Sequence, residues 1–166
     1  MQYGGIQSSP LGEILVIDNG RSILEVRFLD SNIKNYSLNN IAIKNLLKES
    51  PLTLKAFLQI KEYFARKRKT FTLQLDPKGT IFQKSVWKIL CTIPYGKTLS
   101  YGEVAKILGN PKSARAIGNA NHHNPIAILI PCHRVISSNG AINGYASGIQ
   151  RKIELLELEK SPKREF

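Results

Sequence analysis

Acidic residues are scarce in this chain. Its 166 residues carry 12 Asp and Glu against 24 Lys and Arg, a formal charge of +12. That excess is more than solubility requires and points to an anionic partner, nucleic acid ahead of a membrane surface, with a merely solvated basic face as the alternative. Cysteine is nearly absent too. Cys91 and Cys132 are too few for a disulfide framework and show no CxxC or zinc-ligand spacing, so a reducing compartment and no metal are expected. The chain opens without a basic segment followed by an apolar stretch, and no run approaches the roughly 20 residues that span a bilayer. A cytoplasmic protein with no membrane association is expected. The 42% hydrophobic content suffices for one moderate domain or two small ones.

The pattern predicts an α/β protein in two parts. Residues 14–17 and 23–28 read as strands joined by a tight Asn19-Gly20 turn. Ser50-Pro51 opens a helix with Leu54, Phe57, Leu58 and Phe64 on one face, ending near Arg66-Lys67-Arg68-Lys69. Phe71, Leu73 and Leu75 alternate as a further strand, and Asp76-Pro77-Lys78-Gly79 is a linker. The expected domains are therefore 1–76, a small antiparallel sheet with a helix, and 77–166, mainly helical. In the second part, Thr80-x-x-Gln83 and Ser100-x-x-Glu103 are capping boxes. The first leads a stripe of Phe82, Val86, Ile89 and Leu90, among which Cys91 reads as core. The second leads Val104, Ile107 and Leu108 to a stop at Gly109-Asn110-Pro111. A third helix from Lys112 to about Asn121 completes helix-turn-helix, winged-helix-like spacing. Ser113, Ala114, Ala116 and Gly118 leave its surface low, while Lys112 and Arg115 supply charge and reach.

Chemistry concentrates at Pro131-Cys132-His133-Arg134. Such a specified run arises by chance in roughly one chain in a thousand of this length, so it marks a site. Proline and the polar residues after it end the apolar run Ile126–Ile130, which reads as a buried strand. A thiol becomes a good nucleophile when a neighbouring base or cation stabilises its thiolate, and here His133 and Arg134 follow it directly.

With Asn124-Pro125 and Ala114-Arg115-Ala116-Ile117-Gly118 before it and Gly144-Tyr145 after it, this run closely resembles the O6-alkylguanine-DNA alkyltransferases. The resemblance covers residues 79–160 almost without gaps and is weak in sequence over 1–75. It implies that Cys132 accepts an alkyl group from O6-alkylguanine in double-stranded DNA, irreversibly and once, with O4-methylthymine as a further possible substrate. No cofactor is implied, and a monomer is expected. By resemblance, His133 takes the Cys132 proton through a water and Glu159 orients His133, with Glu154 and Glu157 as neighbouring carboxylates and a solvated helix face as the alternative. The resemblance also implies that Asn124 braces the turn holding the cysteine and that Tyr101 faces guanine N3. It implies that Arg115 enters the base stack from the minor groove, that Ala114 and Gly118 permit close approach, and that Thr98, Ser100, Ser113 and Lys112 join the DNA contacts. Tyr101, Arg134, Val135, Tyr145, Ala146 and Ser147 are expected to line the pocket. Two readings compete with transfer: an alkyltransferase-like protein that binds damage without reacting, and a helix-turn-helix regulator of transcription.

Overall fold

Ile14, Leu15 and Val16 place three strand-favouring side chains in succession, and all three are buried. They form the middle of β2 (Gly12–Asp18), the central strand of an antiparallel sheet between β1 (Tyr3–Ser9) and β3 (Ile23–Leu29). The computed structural model describes residues 1–30 and 48–160, and the chain divides into two units, Met1–Pro77 and Lys78–Phe166. β1 lacks apolar alternation and is held by its pairing, in register from Tyr3↔Asp18 to Ser9↔Gly12. The β2–β3 connection is longer than the two-residue turn expected: the Asn19 amide bonds Ser22 O at 3.2 Å, Gly20 sits at φ +85°, and the register shifts at Ile17/Asp18. Asp18 explains the departure. Its buried carboxylate accepts from the Gly20 amide at 2.7 Å and from the hydroxyls of Ser50 and Thr53.

Ser50 and Thr53 are also the capping box of α1 (Pro51–Phe64), which lies against β1 and β2. Anchoring Thr53 to Asp18 turns the helix away from the expected face. Leu54 and Leu58 are 50% and 56% exposed, and the buried stripe is Thr53, Ala56, Phe57, Ile60 and Tyr63. Residues 71–75 do not form the predicted strand. The Gln59 side chain takes the Thr72 amide at 3.0 Å and its hydroxyl at 2.7 Å, leaving a single parallel bridge from Leu75 to Ile23.

In the second unit α2 (Ile81–Leu90), α3 (Tyr101–Leu108) and α4 (Ala114–His122) pack on one another, joined by the parallel pair β4 (Leu99–Ser100) and β5 (Val135–Ile136) and by α5 (Ile149–Lys160). Both predicted capping boxes are made. Gly109, at φ +88°, ends α3 in the left-handed conformation that glycine adopts without a Cβ penalty. Trp87 shifts the buried stripe of α2, because its indole reaches across to donate to Ala120 O at 2.9 Å. Val86, Trp87 and Leu90 are therefore buried, whereas Phe82 is exposed. On α3 the buried residues are Val104 and Ala105, and Ile107 faces outward. Cys91 is not core: α2 ends at Leu90, and the cap residue leaves the stripe for the surface. α4 starts at Ala114 rather than Lys112, since the Ser113 hydroxyl donates to Asn110 O at 2.6 Å and makes no cap bond.

Candidate active site

Residues 126–130 are buried, but they turn instead of forming a strand. Ile130 N–H reaches Ile126 O at 3.0 Å, and Ile128 holds φ +69°, a conformation β-branched residues rarely adopt. Asn124 secures this turn. Its Oδ1 accepts from the Ile126 amide at 2.9 Å, while Nδ2 donates to Ile130 O at 2.9 Å and to Cys132 Sγ at 3.2 Å. Cys132, His133 and Arg134 follow as one turn of 3₁₀ helix, all three buried.

That tight turn sends the three side chains in different directions. Cys132 opens into a cavity of about 80 Å³ lined by Tyr101, Gly118, Asn121, His122, Gly144, Tyr145, Ala146 and Lys152. His133 is wholly buried, with Nε2 2.8 Å from Glu159 Oε1 and with Nδ1 bonded to no protein atom. Arg134 grips the same carboxylate, Nε to Oε2 at 2.9 Å and Nη2 to Oε1 at 2.9 Å, and its Nη1 donates to Ile93 O at 2.7 Å. The Gly96 amide adds a contact to Glu159 at 3.3 Å. Glu159 is the carboxylate brought to His133.

The charges follow from this burial. For Glu159, burial pushes the carboxyl up, but hydrogen bonds from His133 and Arg134 and the positive charge of Arg134 outweigh it and hold it at about 2. His133 is pushed down by burial, against the pull of Glu159, so the ring stays neutral near pH 7. A carboxylate accepting from Nε2–H leaves Nδ1 as the basic nitrogen. Burial pushes the Cys132 thiol up, opposed by the Asn124 hydrogen bond, the Lys152 charge and its own backbone amide. The resting group is a neutral thiol. Tyr101 and Tyr145 are raised by burial and by their nearness to Cys132, and remain protonated.

Several expected site residues are placed elsewhere. Arg134 does not prime the thiol and does not line the cavity, because the Glu159 pair holds it beneath the site. Val135 and Ser147 do not line it either: Val135 is fully buried, with its carbonyl on Lys152, and Ser147 O accepts from Arg151. The Ser100 amide is taken by Glu103 at 2.6 Å, and Ser113 is buried with its hydroxyl on Asn110, so neither group is free for a phosphate. Thr98 and Ala114 are half-buried, while Lys112, Arg115 and Ala116 are exposed along the outer side of α4 and its lead-in. Gly118 is turned toward the site. A Cβ there would lie 3.7 Å from the Tyr101 ring.

Lys152 is the residue that sequence reasoning missed. It is 1% exposed, and its Nζ donates to Val135 O at 2.6 Å, Gly144 O at 3.2 Å and Asn143 O at 3.3 Å. It also lies 5.9 Å from the Tyr101 ring centroid, and the Tyr101 hydroxyl donates to Asn143 O at 3.3 Å. One ammonium thus ties Val135, at the start of β5, to the 143–144 loop and supplies positive charge near the thiol. Asn121 and His122 were also unforeseen. Among the described residues no cluster of His, Cys, Asp and Glu could hold a metal ion, and no helix is long and apolar enough to cross a membrane.

Comparison with known proteins identifies the family. Residues 81–161 match the family model of the 6-O-methylguanine DNA methyltransferase DNA-binding domain, and residues 2–77 match that family's ribonuclease-like domain. A methylated-DNA–protein-cysteine methyltransferase of Methanosarcina acetivorans is 45% identical over 96% of this chain and 99% of its own length. One of Mycobacterium bovis is 58% identical over 62% of each chain. The crystal structure of Mycobacterium tuberculosis O6-methylguanine methyltransferase superposes with a TM-score of 0.84 at 42% identity, covering 98% of this chain and 96% of that one. The M. tuberculosis OGT structure in complex with DNA gives 0.82 at 42% identity, covering 95% and 92%. With both halves of the chain matched and a relative 45% identical over 96% of it, this protein belongs to the methylated-DNA–protein-cysteine methyltransferase family.

Proposed function

We propose that this protein repairs double-stranded DNA by moving the alkyl group of O6-alkylguanine irreversibly onto Cys132, one protein molecule per lesion. The observation that carries the reading is the setting of the thiol. It is buried at the base of a pocket, hydrogen-bonded by Asn124 and near the Lys152 ammonium. Relatives and solved neighbours bearing the methyltransferase name support it. The proposed setting is a monomer acting in the cytoplasm, where thiols stay reduced.

A base cannot reach such a thiol from inside a duplex, so the nucleotide leaves the stack at a cost of a few kcal/mol. Arg115 is the side chain that fills the gap from the minor groove, beside the small residues Ala114 and Ala116. Lys112 and the backbone near Thr98 contact phosphates. In the pocket Sγ attacks the alkyl carbon. The S–C bond forms as the C–O6 bond breaks, and the electron pair passes to the purine. The thiol proton moves through a water to His133 Nδ1, whose imidazolium is stabilised by Glu159. The Tyr101 hydroxyl donates a proton to a ring nitrogen of the departing base, and His133 and Tyr101 re-equilibrate through solvent. The products are neutral guanine and a cysteine thioether, and nucleophile and proton donor both belong to this chain.

Incubation with duplex DNA carrying O6-methylguanine, followed by peptide mass analysis, tests the reading. One added methyl on the Cys132 peptide is expected, and its loss in Cys132→Ala with retained DNA binding. Tight binding with unchanged mass would overturn transfer in favour of a non-reacting damage binder or a regulator.

A further inference from the structure

Asn121 lies in the last turn of α4 and lines the Cys132 pocket. Its side chain is nine-tenths buried, and neither Oδ1 nor Nδ2 meets a protein hydrogen-bond partner. Asn124, three residues on, is the contrast: its amide is spent on Ile126, Ile130 and Cys132. Burying a carboxamide unpaired is unfavourable, and buried polar groups in folded proteins are nearly always satisfied. Leucine or methionine would fill a similar volume without that penalty, so packing alone gives no reason for an amide here. A carboxamide presents a donor and an acceptor side by side. It is complementary to a ligand edge that presents an acceptor and a donor side by side.

We propose that Asn121 is a specificity-determining residue that hydrogen-bonds the edge of the extruded base carrying the guanine 2-amino group. This inference rests on the O6-alkylguanine reading above. In that base N2 donates, and the ring nitrogens on either side of it both accept, because alkylation at O6 removes the N1 proton. Oδ1 then accepts from N2–H while Nδ2 donates to the adjoining ring nitrogen. O4-alkylthymine presents O2 and an unprotonated N3 at the corresponding edge. Both are acceptors, so Oδ1 would face a lone pair. Asn121 therefore favours the purine adduct over the pyrimidine one, by the same logic through which a site built to bond a substrate group rejects the analogue lacking it.

The test changes one group in the protein against one group in the base. Single-turnover rates of methyl transfer to Cys132 are measured for the unaltered protein, Asn121→Leu and Asn121→Ala. The duplexes carry O6-methylguanine, O6-methylhypoxanthine, which lacks only the 2-amino group, or O4-methylthymine. Trp87 fluorescence and thermal melting identify which variants fold. The unaltered protein should prefer O6-methylguanine to O6-methylhypoxanthine by about tenfold or more, and a folded variant should lose at least about fivefold of that preference. The ratio of guanine to thymine repair should fall in parallel. An unchanged purine ratio in a folded variant overturns the proposal, as does an unaltered protein that does not distinguish the two purines. If neither variant folds, the Asn121 side-chain amide proton resonances decide, measured with Cys132→Ala bound to each purine duplex. They should differ between the two complexes, and identical resonances overturn the proposal. Absence of transfer from every duplex overturns the repair reading itself, a result distinct from transfer without base preference.

Discussion

Glu159→Gln removes the charge that His133 and Arg134 share while keeping the side chain's shape. Its effect on stability can be worked from the structure. The folded carboxyl sits at about 2 against an ordinary value of 4.5. At about 1.36 kcal/mol per unit, this difference contributes on the order of 3 kcal/mol to folding at pH 7. Breaking one side of a buried ion pair gives an independent figure of about 3–5 kcal/mol, and Arg134, buried against Glu159, is such a partner. The sign is that of a depressed acid: the contribution is complete above the unfolded value and is lost as pH falls from about 4.5 towards 2. At pH 3 roughly 1.4 kcal/mol should remain. The assay is urea unfolding of both proteins at pH 7 and pH 3, followed by Trp87, the one tryptophan of the chain, which is buried in the same unit as the site. A difference below about 1 kcal/mol at pH 7, or one that does not shrink at pH 3, would refute the assignment of that charge to folding.

Three further outcomes are expected. Lys152→Met should slow methyl transfer by roughly 10²-fold in single-turnover assays, because it removes the ammonium near Cys132 and the tie to three carbonyls; a rate within about threefold of the original would count against it. Asn124→Ala should cost about 2–3 kcal/mol in urea unfolding, since the Ile126 amide and Ile130 carbonyl lose their partner; an unchanged midpoint would show that the turn holds itself. Arg115→Ala should slow repair of duplex DNA by more than about tenfold while leaving reaction with free O6-benzylguanine nearly unchanged. Equal slowing on both would exclude a wedge.

What could be read from sequence was local. The Thr80/Gln83 and Ser100/Glu103 boxes close within one helical turn, and the structure makes both. Apolar stripes were read less well, because distant partners rotate the helices: Asp18 holds Thr53 and turns α1, and Ala120 O draws in Trp87. Sequence adjacency also misled around the thiol. In 3₁₀ geometry successive side chains diverge by about a third of a turn, so Arg134 is carried from Cys132 to Glu159. Glu159 could be reached only by counting from the cysteine motif, since Glu154 and Glu157 have the same composition around them. Lys152 carried a usable signal. With Leu155, Leu156 and Glu159 it falls at helical spacing on the buried face of α5, where a lysine is out of place unless something holds it.

The neutral, enclosed state of Cys132 bears on how such a protein endures between lesions. Peroxides and small electrophiles react with exposed thiolates, and this sulfur is kept protonated and out of solvent, with Asn124 against it. For an enzyme that turns over, an idle side reaction is a delay. For an acceptor that works once, it is the loss of the molecule, so low resting reactivity conserves repair capacity until DNA delivers its base.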